Sequence, residues 1–191
     1  MVVQPPVRVG EPRDLFPRHH GRGATWETFL EPDGQTGDYV IFHGNGDCVI
    51  VLPITMNGTV LAIHQGRHAS LQVMLELPGG ALDGKPPEPA AAEEVEEETG
   101  YRPERIKLLK RGLSWTEPEA CRFGFYSCLA IGCTFEHPPR LKSNEAIELV
   151  ELPWSAWLAM VEGGEVDDTK AMVTTLLARR HLGPKGELIK P

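Results

Sequence analysis

The chain has 191 residues, 41% of them hydrophobic and 24% charged, a composition that suits one globular domain with a sizeable core and excludes a disordered polymer. Its formal net charge of -8 excludes a general attraction to nucleic acid or anionic lipid, since those partners call for clustered Lys and Arg. A small anionic ligand would need a local basic pocket or a metal ion.

In chain order, the head (residues 1–21) carries Pro5, Pro6, Pro12 and Pro17 with scattered charge. It lacks the apolar core of a signal peptide, and no later run approaches membrane-spanning length, so a cytoplasmic protein is expected. His19 and His20 read as solvent-exposed head residues. A strand is expected over 24–29, with a turn at Pro32-Asp33-Gly34. Two apolar runs, 48–54 and 59–64, flank Asn57-Gly58, the signal of a tight hairpin. A further strand is expected over 73–77. Residues 78–89 hold four prolines and three glycines and must form a loop whose last prolines suit entry into a helix.

From Ala90 the composition turns to helix formers and stops at Gly100, placed as a C-terminal cap, so a helix of about three turns is expected. Beyond it the pattern predicts strands over 106–109, 122–131 and 146–152, then amphipathic helices over 154–162 and 169–181. Trp154, Trp157 and Met160 at helical spacing read as core or dimer contacts. The four cysteines, Cys48, Cys121, Cys128 and Cys133, form no CxxC pair or zinc spacing and are expected to be reduced thiols. Strands on both sides of a central helix, followed by helices, indicate an α/β (α+β) fold layered helix, sheet, helix.

The central helix opens its chemistry with Glu93-Glu94-Val95-Glu96-Glu97-Glu98. Glu94, Glu97 and Glu98 stand at i, i+3 and i+4 and share one face, where like charges repel. Against a sheet such a cluster calls for a cation, and oxygen-only ligands suit Mg2+, with Mn2+ as the alternative. Upstream, Glu76-Leu77-Pro78-Gly79-Gly80 is a strand end feeding a glycine turn that can bring backbone groups beside the helix.

These residues resemble the Nudix box. In residues 80–101 Gly80 matches its first glycine, Glu94, Glu97 and Glu98 its three glutamates, Val95 its apolar position, and Gly100-Tyr101 its close. The flanks, Val51-Leu52-Pro53, Gln65-Gly66-Arg67-His68 and the run from Leu75 to Gly80, resemble the ADP-ribose pyrophosphatase and nucleotide-sugar branch, as do Asn144-Glu145-Ala146-Ile147-Glu148 and residues 164–170. Three departures stand out: a loop one residue short after Gly80, Lys85 where a glutamate is usual, and Glu93 where an arginine is usual.

The resemblance implies a Nudix-type α/β/α sandwich with a mixed sheet and a central catalytic helix. It implies a head over 1–37, with short strands and dimer and substrate contacts, and a hydrolase domain over 38–191. The implied activity is metal-dependent cleavage of the diphosphate bond in a nucleoside diphosphate derivative, ADP-ribose or a nucleotide sugar, by a homodimer. The metal ligands would be Gly79, Glu94, Glu97 and Glu98. Catalytic roles fall to Glu97 and to Glu145 as base, with Glu148 second. Arg67, Glu76, Trp26 and Phe29 would contact substrate, and Pro118 falls near where this branch tends to carry a proline. Glu93 would add negative charge where a positive one belonged, which keeps open a second reading, a catalytically weak module that binds such a nucleotide as a sensor.

Overall fold

The computed structural model describes residues 4–19, 21–143 and 145–189; His20 of the head and Asn144 of the later loop motif lie outside the described residues. The chain divides into two compact units, Met1–Asp47 with Trp115–Gly124, and Cys48–Ser114 with Phe125–Pro191.

The first unit is an antiparallel sheet of β1 (Val7–Asp14), β2 (Gly23–Leu30) and β3 (Thr36–His43), in the order β1-β2-β3. The expected strand over 24–29 is β2, and the turn at Pro32-Asp33-Gly34 closes its hairpin, with the Asp33 carboxylate accepting the Gln35 N–H at 2.9 Å. The prolines of the head give no strand pattern of their own, yet it supplies β1, in keeping with the short strands that the resemblance implies. Proline cannot donate to a ladder and is confined to edges and bulges; β1 is an edge strand, and its register breaks between Val9 and Arg13, around Pro12. Glu27 of β2 is 1% exposed, and its carboxylate accepts hydrogen bonds from both terminal nitrogens of Arg122 at 2.6 and 2.9 Å and from the Thr25 hydroxyl at 2.8 Å.

The second unit opens with β4 (Cys48–Thr55) and β5 (Thr59–Arg67), the hairpin read from Asn57-Gly58. Gly58 has a φ of 77°, in the left-handed region. Then come β6 (Gln72–Glu76), β7 (Gly79–Ala81), α1 (Pro87–Thr99), β8 (Tyr101–Arg102), β9 (Arg105–Leu108) and the short β10 (Ser114–Trp115). The chain ends in β11 (Gly124–Phe135), β12 (Ile147–Pro153), α2 (Trp154–Gly163) and α3 (Thr169–Arg179). The sheet is mixed: β11 runs parallel to β4, while β5 is antiparallel to β12 and to β6. The short β7 pairs with β4.

The alternation of β4 explains the layering. Val49 and Val51 point to one face and pack with Ala90, Ala91 and Val95 of α1. Ile50, Leu52 and Ile54 point to the other and pack with Trp154 and Trp157 of α2 and Ala171 and Ala178 of α3. The expected helix-sheet-helix sandwich is therefore present, and the two tryptophans are core, with the Trp157 indole N–H donating to Thr175 at 2.9 Å. Helix α1 starts three residues earlier than read, at Pro87, because a proline in the first turn loses only an N–H that would be unpaired anyway. Gly100, φ 75°, ends it, its N–H donating to the Glu96 carbonyl. Cys128 and Cys133 are buried thiols, pushed up to about 12 by burial.

Candidate active site

The site is built where the β6-β7 turn meets the inner face of α1. Pairing of Gly79 and Gly80 with Ile50 and Val49 of β4 lays the turn flat against the sheet. A Cβ on Gly79 would lie 2.2 Å from the Val49 carbonyl oxygen, and one on Gly80 would lie 2.1 Å from a Glu94 carboxylate oxygen. Gly79 admits no side chain against that backbone oxygen, whereas a Cβ at Gly80 would displace the flexible Glu94 carboxylate from the cradle in which it rests. One turn further along α1, Glu98 accepts the Gly79 N–H at 3.0 Å.

The acids of α1 sort themselves by partner. Glu93 is ion-paired with Lys85. Glu96 takes Arg140 and His137, the latter at 3.1 Å. Glu97 faces the Lys142 ammonium at 3.6 Å. Among the described residues, only Glu94 and Glu98 of this run have no ion-pair partner, and they are the two nearest the glycine turn. Burial pushes the Glu94 carboxyl up to about 7, with the charges of Glu97 and Glu145 adding to the rise and Lys142 opposing it. Burial likewise pushes Glu98 up to about 8; the Gly79 N–H opposes the rise and the charges of Glu94 and Glu145 reinforce it. A low-dielectric site holding two carboxylates at i and i+4 with no cation of their own favours protons unless a positive ion enters.

The other residues singled out in the sequence divide between the two units. Arg67 at the end of β5 forms a two-pronged ion pair with Glu76, its Nε donating at 2.7 Å. Glu76 is 2% exposed and fixes the guanidinium, whose pKa that bond raises and which also lies in the fields of Asp168 and Glu98. Glu145 lies in the loop after β11, its carboxylate 3.7 Å from the Lys142 ammonium. Glu148 on β12 faces His64 at 3.8 Å and is largely exposed. In the first unit, Trp26 stacks under Arg13 at 5.9 Å. Phe29 meets Tyr39 edge to face at 5.7 Å, and both line a cavity of about 840 Å³ that also includes Trp115, Pro118 and Arg122.

Two readings of the departures change. The charge of Glu93 is taken up by Lys85, so it does not fall on the carboxylate pair. The three box glutamates are not equivalent either: Glu94 and Glu98 meet the glycine turn, while Glu97 is turned to Lys142. Consistently, among the described residues no three His, Cys, Asp or Glu side chains stand close enough to hold a metal ion as a set. Sequence reasoning missed Lys142, Arg140 and His137, the cations that partition the acidic helix.

The comparisons now have a geometry to meet. The profile of the Nudix domain matches residues 44–172, and an ADP-ribose pyrophosphatase of Bacillus subtilis is 32% identical over 141 residues, covering 73% of this chain and 75% of its own. The chain belongs to the Nudix family. A GDP-mannose pyrophosphatase of Yersinia pestis is 31% identical over 155 residues, covering 74% of each chain. A solved structure described as an ADP compounds hydrolase superposes with a TM-score of 0.76 over 94% of this chain and 95% of its own, at 19% identity, and shares the fold. In this Nudix chain, a half-buried and a buried carboxylate, hard oxygen donors beside a bare glycine turn, fit a divalent cation.

Proposed function

We propose that this Nudix protein hydrolyses the diphosphate bond of a nucleoside diphosphate derivative, ADP-ribose or a nucleotide sugar, with Mg2+ or Mn2+ as cofactor. The observation that carries the reading is the pair Glu94, half-buried, and Glu98, buried, which stand against Gly79 and Gly80 without an ion-pair partner among the described residues. The names of the Bacillus and Yersinia relatives support the substrate class. Glu94 and Glu98, with Gly79 and with Glu97 as a further ligand, would hold the ion, which supplies neutralisation of the diphosphate and a water acidic enough to attack at neutral pH.

The remaining roles belong to the chain itself. Arg67, oriented by Glu76, offers a planar guanidinium to the phosphates. Glu145, in a loop that can approach the helix, serves as the general base that takes the proton of the attacking water, with Glu148 second. Trp26 and Phe29 offer flat apolar surfaces suited to a nucleobase. Exposed apolar side chains of the first unit, among them Val7, Val9, Leu30 and Phe42, support a homodimer. Among the described residues no helix is long and apolar enough to cross a membrane.

Turnover of a panel containing ADP-ribose, GDP-mannose, ADP-glucose and a dinucleoside diphosphate, with Mg2+ and with Mn2+, tests the reading. Cleavage of ADP-ribose or of a sugar nucleotide in preference to the rest is expected. Binding of ADP-ribose without turnover of any compound would replace it by the sensor reading.

A further inference from the structure

We propose that Lys142 is a built-in counter-ion of this site, holding Glu97 and Glu145 until a divalent cation replaces it and thereby setting the concentration at which the site loads. The proposal rests on the metal reading given above and concerns what that reading leaves unexplained, the missing third carboxylate.

The neighbouring cations are committed elsewhere: Lys85 to Glu93, and Arg140 to Glu96. Arg67, which lies in the field of Glu98, is held by Glu76, whereas Lys142 stands directly among Glu97, Glu145 and Glu94. Its ammonium lies 3.6 Å from Glu97 and 3.7 Å from Glu145, and it also lies in the field of Glu94. Both distances exceed the roughly 2.7–3.2 Å of a good hydrogen bond, so the ammonium is held mainly by charge, with at most a weak bond to Glu97. An interaction of that kind exchanges readily for a stronger cation.

The backbone shows how the exchange can occur without unfolding. The Arg140 N–H donates to the Glu97 carbonyl at 2.8 Å, which ties the loop to α1. The Glu145 N–H donates to the Lys142 carbonyl at 2.9 Å, and the Glu145 carboxylate accepts the Lys142 N–H at 2.9 Å. The loop is thus closed on itself, while the flexible Lys142 stem is 60% exposed and free to swing. With the ammonium in place, Glu97 and Glu145 are engaged, and no three-carboxylate set forms. An ion bound at Glu94 and Glu98 would repel the ammonium and release Glu97 and the Glu145 oxygen that faces it, while the other Glu145 oxygen stays on the Lys142 backbone N–H. By linkage, the ammonium must then weaken ion binding by the same factor.

The test uses the full chain without substrate and Mn2+ as the probe, followed by calorimetry and by paramagnetic resonance of the free ion. Lys142→Met should bind Mn2+ about three- to tenfold more tightly than wild type, and Lys142→Arg should stay within about twofold, because its charge is retained. Amine-reactive labelling mapped by mass spectrometry supplies a second readout: Lys142 should be modified faster in Mn2+ than in chelator. Unchanged or weaker Mn2+ binding by Lys142→Met, with circular dichroism confirming the fold, overturns the counter-ion. Unchanged labelling of Lys142 overturns it equally. If wild type binds no Mn2+ at millimolar concentration, the metal reading itself fails and this proposal with it.

Discussion

Replacing Glu98 by Gln in the metal-free protein should make it more stable, and increasingly so as pH rises. Glu98 is 5% exposed, and its carboxyl is pushed from 4.5 up to about 8. The folded state therefore binds a proton that the unfolded state has released between those two values. Stability attributable to this group is fully present below about pH 4.5 and is lost as pH rises toward about 8. Lifting a carboxyl that far corresponds to an upper limit of about 5 kcal/mol. Coupling to Glu94, whose charge contributes to the rise, and local relaxation bring the expected figure to about 2–3 kcal/mol. Gln removes the ionisation while its side-chain oxygen can still accept the Gly79 N–H. Urea unfolding in chelator at pH 5.5 and pH 8.5 measures the difference between variant and wild type. It should be about 1 kcal/mol at the lower pH, where the unfolded carboxyl has already ionised, and reach about 2–3 kcal/mol in favour of Glu98→Gln at the higher. A difference that does not change with pH, or that favours wild type at pH 8.5, refutes the reasoning.

Glu93→Arg alone should be harmful, because it sets a second cation against Lys85; the paired exchange Lys85→Glu with Glu93→Arg should recover most of the wild-type kcat/KM, and failure of that rescue in a double-mutant cycle would show that the pair does not act as a unit. Gly80→Ala should cut kcat by about a hundredfold or more by pushing the Glu94 carboxylate out of its cradle, with a melting temperature that falls only modestly; an active Gly80→Ala would mean that the position of Glu94 is unimportant. Arg67→Lys should raise KM for ADP-ribose more than it lowers kcat, since a lysine cannot reproduce the planar fork that Glu76 orients, and an unchanged KM would remove Arg67 from the substrate.

Local signals in the sequence were strong where one short segment decides its own conformation. Asn57-Gly58 between apolar runs could only be a hairpin, and the change of composition up to Gly100 could only be a helix. β1 was hidden because Pro12 reads as a breaker, whereas an edge strand with a bulge tolerates it. Of the site, the glycine turn and the acidic face were legible, since both follow from residue type and helical spacing. The sorting of that face was not. Glu96 meets Arg140 and Glu97 meets Lys142 across a chain separation that no local pattern encodes, and only the loop after β11 brings them together. Lys85 and Glu93 are the intermediate case. They lie eight positions apart, and their opposite charges at the two departures from the box were themselves a sign that they pair.

The central claim is that this chain cuts a diphosphate bond with the help of a cation held by Glu94 and Glu98. Phosphorus NMR of ADP-ribose incubated with the protein tests it most directly, in chelator and in Mg2+, for wild type and Glu98→Gln. For wild type in Mg2+ alone, the paired diphosphate resonances should give way to two phosphomonoester resonances. Persistence of the diphosphate resonances in Mg2+, or the same conversion in chelator or by Glu98→Gln, would contradict it.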